Sequence, residues 1–127
     1  MHKYEDLKVY SKALIYTKTV RDITRDFPKE ELYNLTSQYR RAADSIVLNI
    51  AEGAGNYSDN EFARFLTYSV RSGCECKGCI DIATINGYIN EKIKQELKNE
   101  ANEIVAMLDG LHKSFSRKSQ LLNDSNT

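Results

Sequence analysis

Apolar residues recur along this chain at alternating spacings of four and three, the period of a helix that buries one face. Val9, Ala13, Tyr16, Val20, Ile23 and Phe27 form the first such stripe and predict a helix starting after Asp6 as N-cap. It must stop at Phe27-Pro28, because proline cannot continue a helix and pushes the residue before it out of the α region. A short extra turn is predicted over Lys29 to Tyr33. Asn34 tolerates a left-handed backbone, and Thr36 after it is the predicted N-cap of a second helix running to about Gly55. In that helix Ala42, Ile46, Asn49 and Gly53 share a stripe, with Ala43, Val47 and Ile50 beside it. So broad an apolar face must meet several neighbours.

Ser58-Asp59-Asn60-Glu61 reads as a capping box: the Ser58 hydroxyl accepts from the Glu61 amide, the Glu61 carboxylate reaches back, and Tyr57 and Phe62 staple the flanks. The third helix it opens carries Phe62, Phe65, Leu66, Ser69, Gly73, Cys76, Ile80 and Ala83 inward and closes at Gly87. Asn90 is the predicted cap of a fourth helix with the stripe Ile93, Leu97, Ala101, Ile104, Leu108, Leu111 and Phe115. Four amphipathic helices with short connections pack most simply as an all-α, up-down-up-down antiparallel four-helix bundle. One domain over 1–116 is expected, with residues 117–127 a polar, disordered tail.

Composition adds exclusions. The lone proline and six glycines disfavour a many-turned β fold. Eighteen basic residues balance eighteen acidic ones, so any polynucleotide contact needs a local patch rather than a global field. No apolar run approaches the roughly 20 residues that span a bilayer, and the start MHKYEDLKVY lacks the form of a signal peptide, which points to the cytoplasm and away from membranes. P-loop, dinucleotide-fingerprint, His-Glu metal and nucleophile-elbow motifs are missing, so no enzyme and no cofactor are expected.

FP followed by EELYNLTSQYRRAADSIVLNIAEG, then SDNEFARFL and later NGYI, resembles a family of small bacterial four-helix-bundle proteins encoded within intervening sequences of large-subunit ribosomal RNA genes, over about Tyr4 to Phe115. It is similar also to the accessory protein of diversity-generating retroelements. The resemblance implies a bundle assembling into a homopentameric ring, nucleic-acid binding in the retroelement case, and no catalysis. Two departures stand out: Asn34 where glycine is usual, and CECKGC in a stretch of the third helix usually built from Leu and Glu.

Arg40 and Arg41 lie about 100° apart on their helix, so one can line an interface while the other meets solvent. They read either as phosphate contacts or as partners of Asp44, Glu52 or a neighbouring helix's carboxylates, and the neutral composition favours ion pairing. Arg64 and Arg71 are nucleic-acid candidates too, with Lys77, Arg117 and Lys118 behind them. In a ring each basic residue repeats by symmetry, and a modest patch becomes a belt. Ser45, Asn49 and Glu52 read as a structural polar network fixing helix register or subunit docking rather than as a catalytic pocket. Cys76 and Cys79 can share a helical face and Cys74 cannot, so one helix offers no tetrahedral metal site; core thiols are the favoured reading and a thiol switch the alternative. The eight tyrosines suit half-buried contacts, and without an interleaved basic motif stacking on unpaired bases is the disfavoured reading. The leading expectation is a homo-oligomer that binds RNA or DNA through repeated arginines. Its competitor is a protein-binding scaffold that touches no nucleic acid.

Overall fold

The computed structural model of the chain describes residues 3–125, and of these the side chains of all but Asp6 and residues 118–125. Four helices build it: α1 over Lys8–Thr24, α2 over Leu35–Ala54, α3 over Asp59–Ile85 and α4 over Glu91–Ser125, with single 3-10 turns at Tyr4–Asp6 and Lys29–Glu31. Connections this short turn each helix back along its predecessor, giving the up-down-up-down bundle. α3 packs extensively between α2 and α4, and the α1–α4 seam that closes the bundle is thinner. Among the described residues no helix is long and apolar enough to cross a membrane.

The four apolar stripes meet in one core. Val9, Ala13, Tyr16 and Val20 of α1 face Ala43, Ile46 and Ile50 of α2, while Phe62, Leu66 and Ile80 of α3 and Leu97, Ile104 and Leu108 of α4 complete it. Each large side chain so buried contributes about 1.5–3 kcal/mol relative to exposure. Small residues set how closely the helices approach: a Cβ added to Gly53 would lie 2.6 Å from Phe65 Cβ, and one added to Gly73 2.6 Å from Val105 Cγ2. Two phenols are also buried, and Tyr16 and Tyr39 satisfy each other across α1 and α2 with their hydroxyls 2.7 Å apart. Burial pushes both phenols far above the ordinary range, so they stay neutral.

Helix ends depart from the sequence reading at several points. Leu7, not Asp6, occupies the N-cap of α1, and no side chain caps it. Thr36 is not a cap but a buried residue inside α2, whose N-cap position is Asn34. Asn34 has φ −128° and so does not use the left-handed region. Glu31, delivered by the preceding 3-10 turn, supplies the missing acceptor: its Oε1 takes bonds from the Leu35 amide (3.4 Å) and Asn34 Nδ2 (2.9 Å), so the helix starts on the buried Leu35, earlier than a Thr36 cap would set it. The Tyr88 hydroxyl donates to the other Glu31 oxygen at 2.7 Å, and this bond, foremost, holds the carboxyl below its usual range.

At α3 only half of the capping box forms. Ser58 Oγ accepts from the Glu61 amide at 3.3 Å, but the Glu61 carboxylate turns to Arg64 Nη2 at 2.7 Å. The staple is absent as well, since Tyr57 is 85% exposed while Phe62 is buried and stacks on Phe115 at 4.6 Å. The C-terminal end follows expectation: Gly87 takes φ +77°, the Gly87 amide bonds Thr84 O at 3.0 Å, and the Tyr88 amide bonds Ala83 O at 2.9 Å. Asn90 Oδ1 caps α4 by accepting from the Ile93 amide at 2.9 Å. The backbone of α4 is helical to Ser125, and the expectation of a polar, disordered tail over 117–127 falls mostly on residues whose side chains lie outside the described set.

Candidate nucleic-acid interface

Where the first turns of α2 pass the middle of α3, the two helices frame an open polar groove of about 630 Å³. Ser37, Gln38, Arg41 and Ser45 line its α2 wall, Ser72 and Glu75 its α3 wall, and Tyr33, 94% exposed, stands at its end. The wall spacing follows from sequence: residues 37, 38, 41 and 45 recur at three and four, one face of a helix. Ser72 Oγ bonds Ser45 Oγ across the wall at 2.9 Å, and Ser69 Oγ bonds Ile46 O at 2.9 Å, so hydroxyl groups join α2 to α3 along this wall. Arg41 and Glu75 oppose each other in charge on the two walls.

The four arginines singled out from sequence separate into distinct environments. Arg40 is half-buried, its Nε donating to Thr24 Oγ1 of α1 at 2.9 Å, which ties it to the structure. Arg41 is exposed in the groove. The expected pairing of either with Asp44 does not occur, because Arg21 of α1 takes Asp44 in a bidentate pair with both contacts at 2.8 Å. Arg64 and Arg71 share Tyr68, their guanidinium carbons 5.8 and 5.9 Å from its ring centroid. Residues 64, 68, 71 and 75 form one stripe down α3, and Glu75 belongs to the groove, so Arg41, Arg64 and Arg71 lie on one α2–α3 face. Lys77 is half-buried, Arg117 is exposed, and the Lys118 side chain lies outside the described set.

The hydrogen bonds around Asn49 join Ser45 and Ser72 and leave Glu52 out. Asn49 Nδ2 donates to Ser45 O at 2.9 Å and Ser45 Oγ at 3.0 Å, and Ser72 completes the set from α3. Glu52 is not in it: its side chain is exposed, and it is its backbone carbonyl that accepts from Asn56 Nδ2 at 3.1 Å. Helical spacing placed Glu52 near Asn49, but the member that mattered comes from another helix, which no local pattern signals. Cys76 and Cys79 are buried and Cys74 exposed. Burial raises the Cys76 thiol and pushes Cys79 up to about 11, which leaves little thiolate at neutral pH. Among the described residues no group of three His, Cys, Asp or Glu side chains is placed to hold a metal ion.

The family model described as 23S rRNA-intervening sequence protein matches residues 5–110. The chain belongs to that family. A crystal structure shares the fold: a protein with unknown function from the S23 ribosomal protein family of Bacteroides thetaiotaomicron VPI-5482 is 21% identical, with a TM-score of 0.77 over 83% of this chain and 95% of the other. No curated protein matches the chain. In this member of the 23S rRNA-intervening sequence protein family Asn34 bonds Glu31, and two of the three thiols pack in the core.

Proposed function

We propose that this member of the 23S rRNA-intervening sequence protein family is a non-enzymatic homo-oligomer, a ring of five bundles by the resemblance, that acts in the cytoplasm and binds RNA or DNA on its α2–α3 face. The observation that carries the binding is the placement of Arg41, Arg64 and Arg71 on one face beside a polar groove. Glu61 and Glu75 on the same face keep the single copy close to neutral, so symmetry has to multiply the arginines before phosphate attraction becomes substantial. Self-association is supported by apolar side chains left outside the core, notably Ile15, Leu48 and Ile85 at 67%, 63% and 86% exposure.

The test is fluorescence anisotropy with a structured RNA over a salt series, beside light-scattering mass of the protein alone. Binding should weaken as salt rises and drop further in Arg41→Gln, Arg64→Gln and Arg71→Gln, each variant flattening the slope of log affinity on log salt by about 0.7–0.9. A salt-independent affinity overturns the phosphate contact, and a monomer at high micromolar concentration overturns the ring. The same exposed apolar residues favour a second reading, a scaffold for a protein partner. Capture of a defined protein that survives nuclease treatment, with no RNA or DNA binding, would select it.

A further inference from the structure

The α3 stripe beside the groove holds more than charge. The Arg64 guanidinium carbon lies 5.3 Å from the Phe65 ring centroid and 5.8 Å from that of Tyr68, and Arg71 continues the series 5.9 Å from Tyr68. Phe65 meets Tyr68 edge-on, centroids 5.5 Å apart and planes at 82°. Arg64 is held at both ends, donating to Glu61 at 2.7 Å and to the Tyr68 hydroxyl at 3.3 Å, so the Tyr68 ring is braced on its N-terminal side. Arg71 is exposed.

We infer that this column is a stacking platform for unpaired nucleobases, and that the ligand of the α2–α3 face is a single strand rather than a duplex. The inference rests on the nucleic-acid reading above and specifies it. Aromatic rings and guanidinium planes both stack on bases, and here they alternate along one helix, with Arg64 already held on Glu61 and Tyr68 before any ligand arrives. A base can stack on the outer plane of Arg71, or on Tyr68 once Arg71 swings to a phosphate. The charge balance points the same way. Glu61 and Glu75 share the stripe with the two arginines, so a ligand offering only phosphates gains little, whereas base faces are indifferent to those carboxylates. A duplex hides its base faces; a strand displays them. The adjoining groove, with Arg41 and the Ser37 and Ser45 hydroxyls, lies where the strand's backbone would continue.

The experiment compares the parent protein with Tyr68→Leu, Tyr68→Phe and Arg41→Gln, each confirmed folded by circular dichroism, on an unstructured oligonucleotide of about 20 nucleotides and on the same oligonucleotide annealed to its complement. RNA and DNA versions form separate arms. Expected are tighter binding of the strand than the duplex, a loss of about tenfold on the strand in Tyr68→Leu, and retention within about twofold in Tyr68→Phe, which keeps the ring. Ultraviolet crosslinking should label the tryptic peptide Phe65–Arg71. Equal responses in RNA and DNA support contact through the bases; a loss confined to RNA assigns it to the 2′-hydroxyl and overturns the stacking. Equal affinity for strand and duplex, or a Tyr68→Leu variant that matches the parent, overturns it as well, while Arg41→Gln still weakening binding would leave the broader nucleic-acid reading intact. No binding to either oligonucleotide removes both.

Discussion

Replacing Gly73 by alanine sets two opposed effects against each other at one position. A methyl in a helix interior removes the backbone-entropy cost of glycine and by itself stabilises by about 1 kcal/mol. At Gly73, however, the new Cβ would stand 2.6 Å from Val105 Cγ2, far inside the ~3.5–4.0 Å of an ordinary carbon contact. Val105 is β-branched and has one strongly preferred rotamer in a helix, so it cannot turn aside, and α4 must move outward or strain. Overpacking of this kind costs about 1–3 kcal/mol, which leaves Gly73→Ala net destabilising by about 1 kcal/mol. Gly78 supplies the control on the same helix, since nothing lies within 4 Å of its added Cβ and Gly78→Ala should gain about 0.5–1 kcal/mol. Urea unfolding followed by circular dichroism at one fixed protein concentration measures both, the concentration being held because self-association adds to apparent stability. Adding Val105→Ala to Gly73→Ala should recover part of the loss through a favourable coupling of the two sites. If Gly73→Ala stabilises as much as Gly78→Ala, the close α3–α4 approach does not exist in solution.

Three further outcomes are expected. Tyr16→Phe and Tyr39→Phe should each cost about 1–3 kcal/mol by orphaning a buried hydroxyl, while the double variant costs less than their sum; strict additivity in the urea data would show the 2.7 Å bond is not made. Glu100 is exposed at the rim of the α1–α4 seam, where partial desolvation, then Glu96, raises its carboxyl pKa against the opposing pull of Lys12, with Glu103 adding to the rise. A carboxyl raised by folding favours the fold when protonated, so its stabilising contribution is lost as pH rises through the raised pKa. Glu100→Gln should therefore exceed the parent in urea midpoint at pH about 7, with the gap closing below about 4, and equal midpoints throughout would contradict this. Finally, a thiol-reactive chromophore should titrate Cys74 alone in the native protein and Cys74, Cys76 and Cys79 together in denaturant; native labelling of Cys76 as fast as Cys74 would remove it from the core.

Much of the fold was legible because helical stripes are a local property. Val9, Ala13, Tyr16 and Val20 are inside for the same reason that Leu97, Ala101, Ile104 and Leu108 are: a spacing of three and four can bury only one side of a helix. Gly87 and Asn90 were equally readable, since a left-handed turn and an amide cap each demand few residue types. Less of the candidate site could be read. Arg64, Tyr68 and Arg71 stand at i, i+4 and i+7 in the sequence, so their shared face was open to inspection, but the stacking of guanidinium on ring was not. Arg40 and Arg41 looked equivalent until Thr24 of another helix claimed one of them.

The sequence by itself therefore determined the number of helices, their buried sides and their order, because each depends on residues within a few turns of one another. Tertiary structure decided which polar groups meet. Asp44 went to Arg21, Glu31 to Tyr88, and Ser45 to Ser72 across 23, 57 and 27 residues of chain. A hydrogen bond or ion pair between helices is selected by the approach and register of two packed surfaces, and these are set by small residues such as Gly53 and Gly73 together with the whole core rather than by any local pattern. For that reason the arginine face and its groove became visible only once α2 and α3 were side by side.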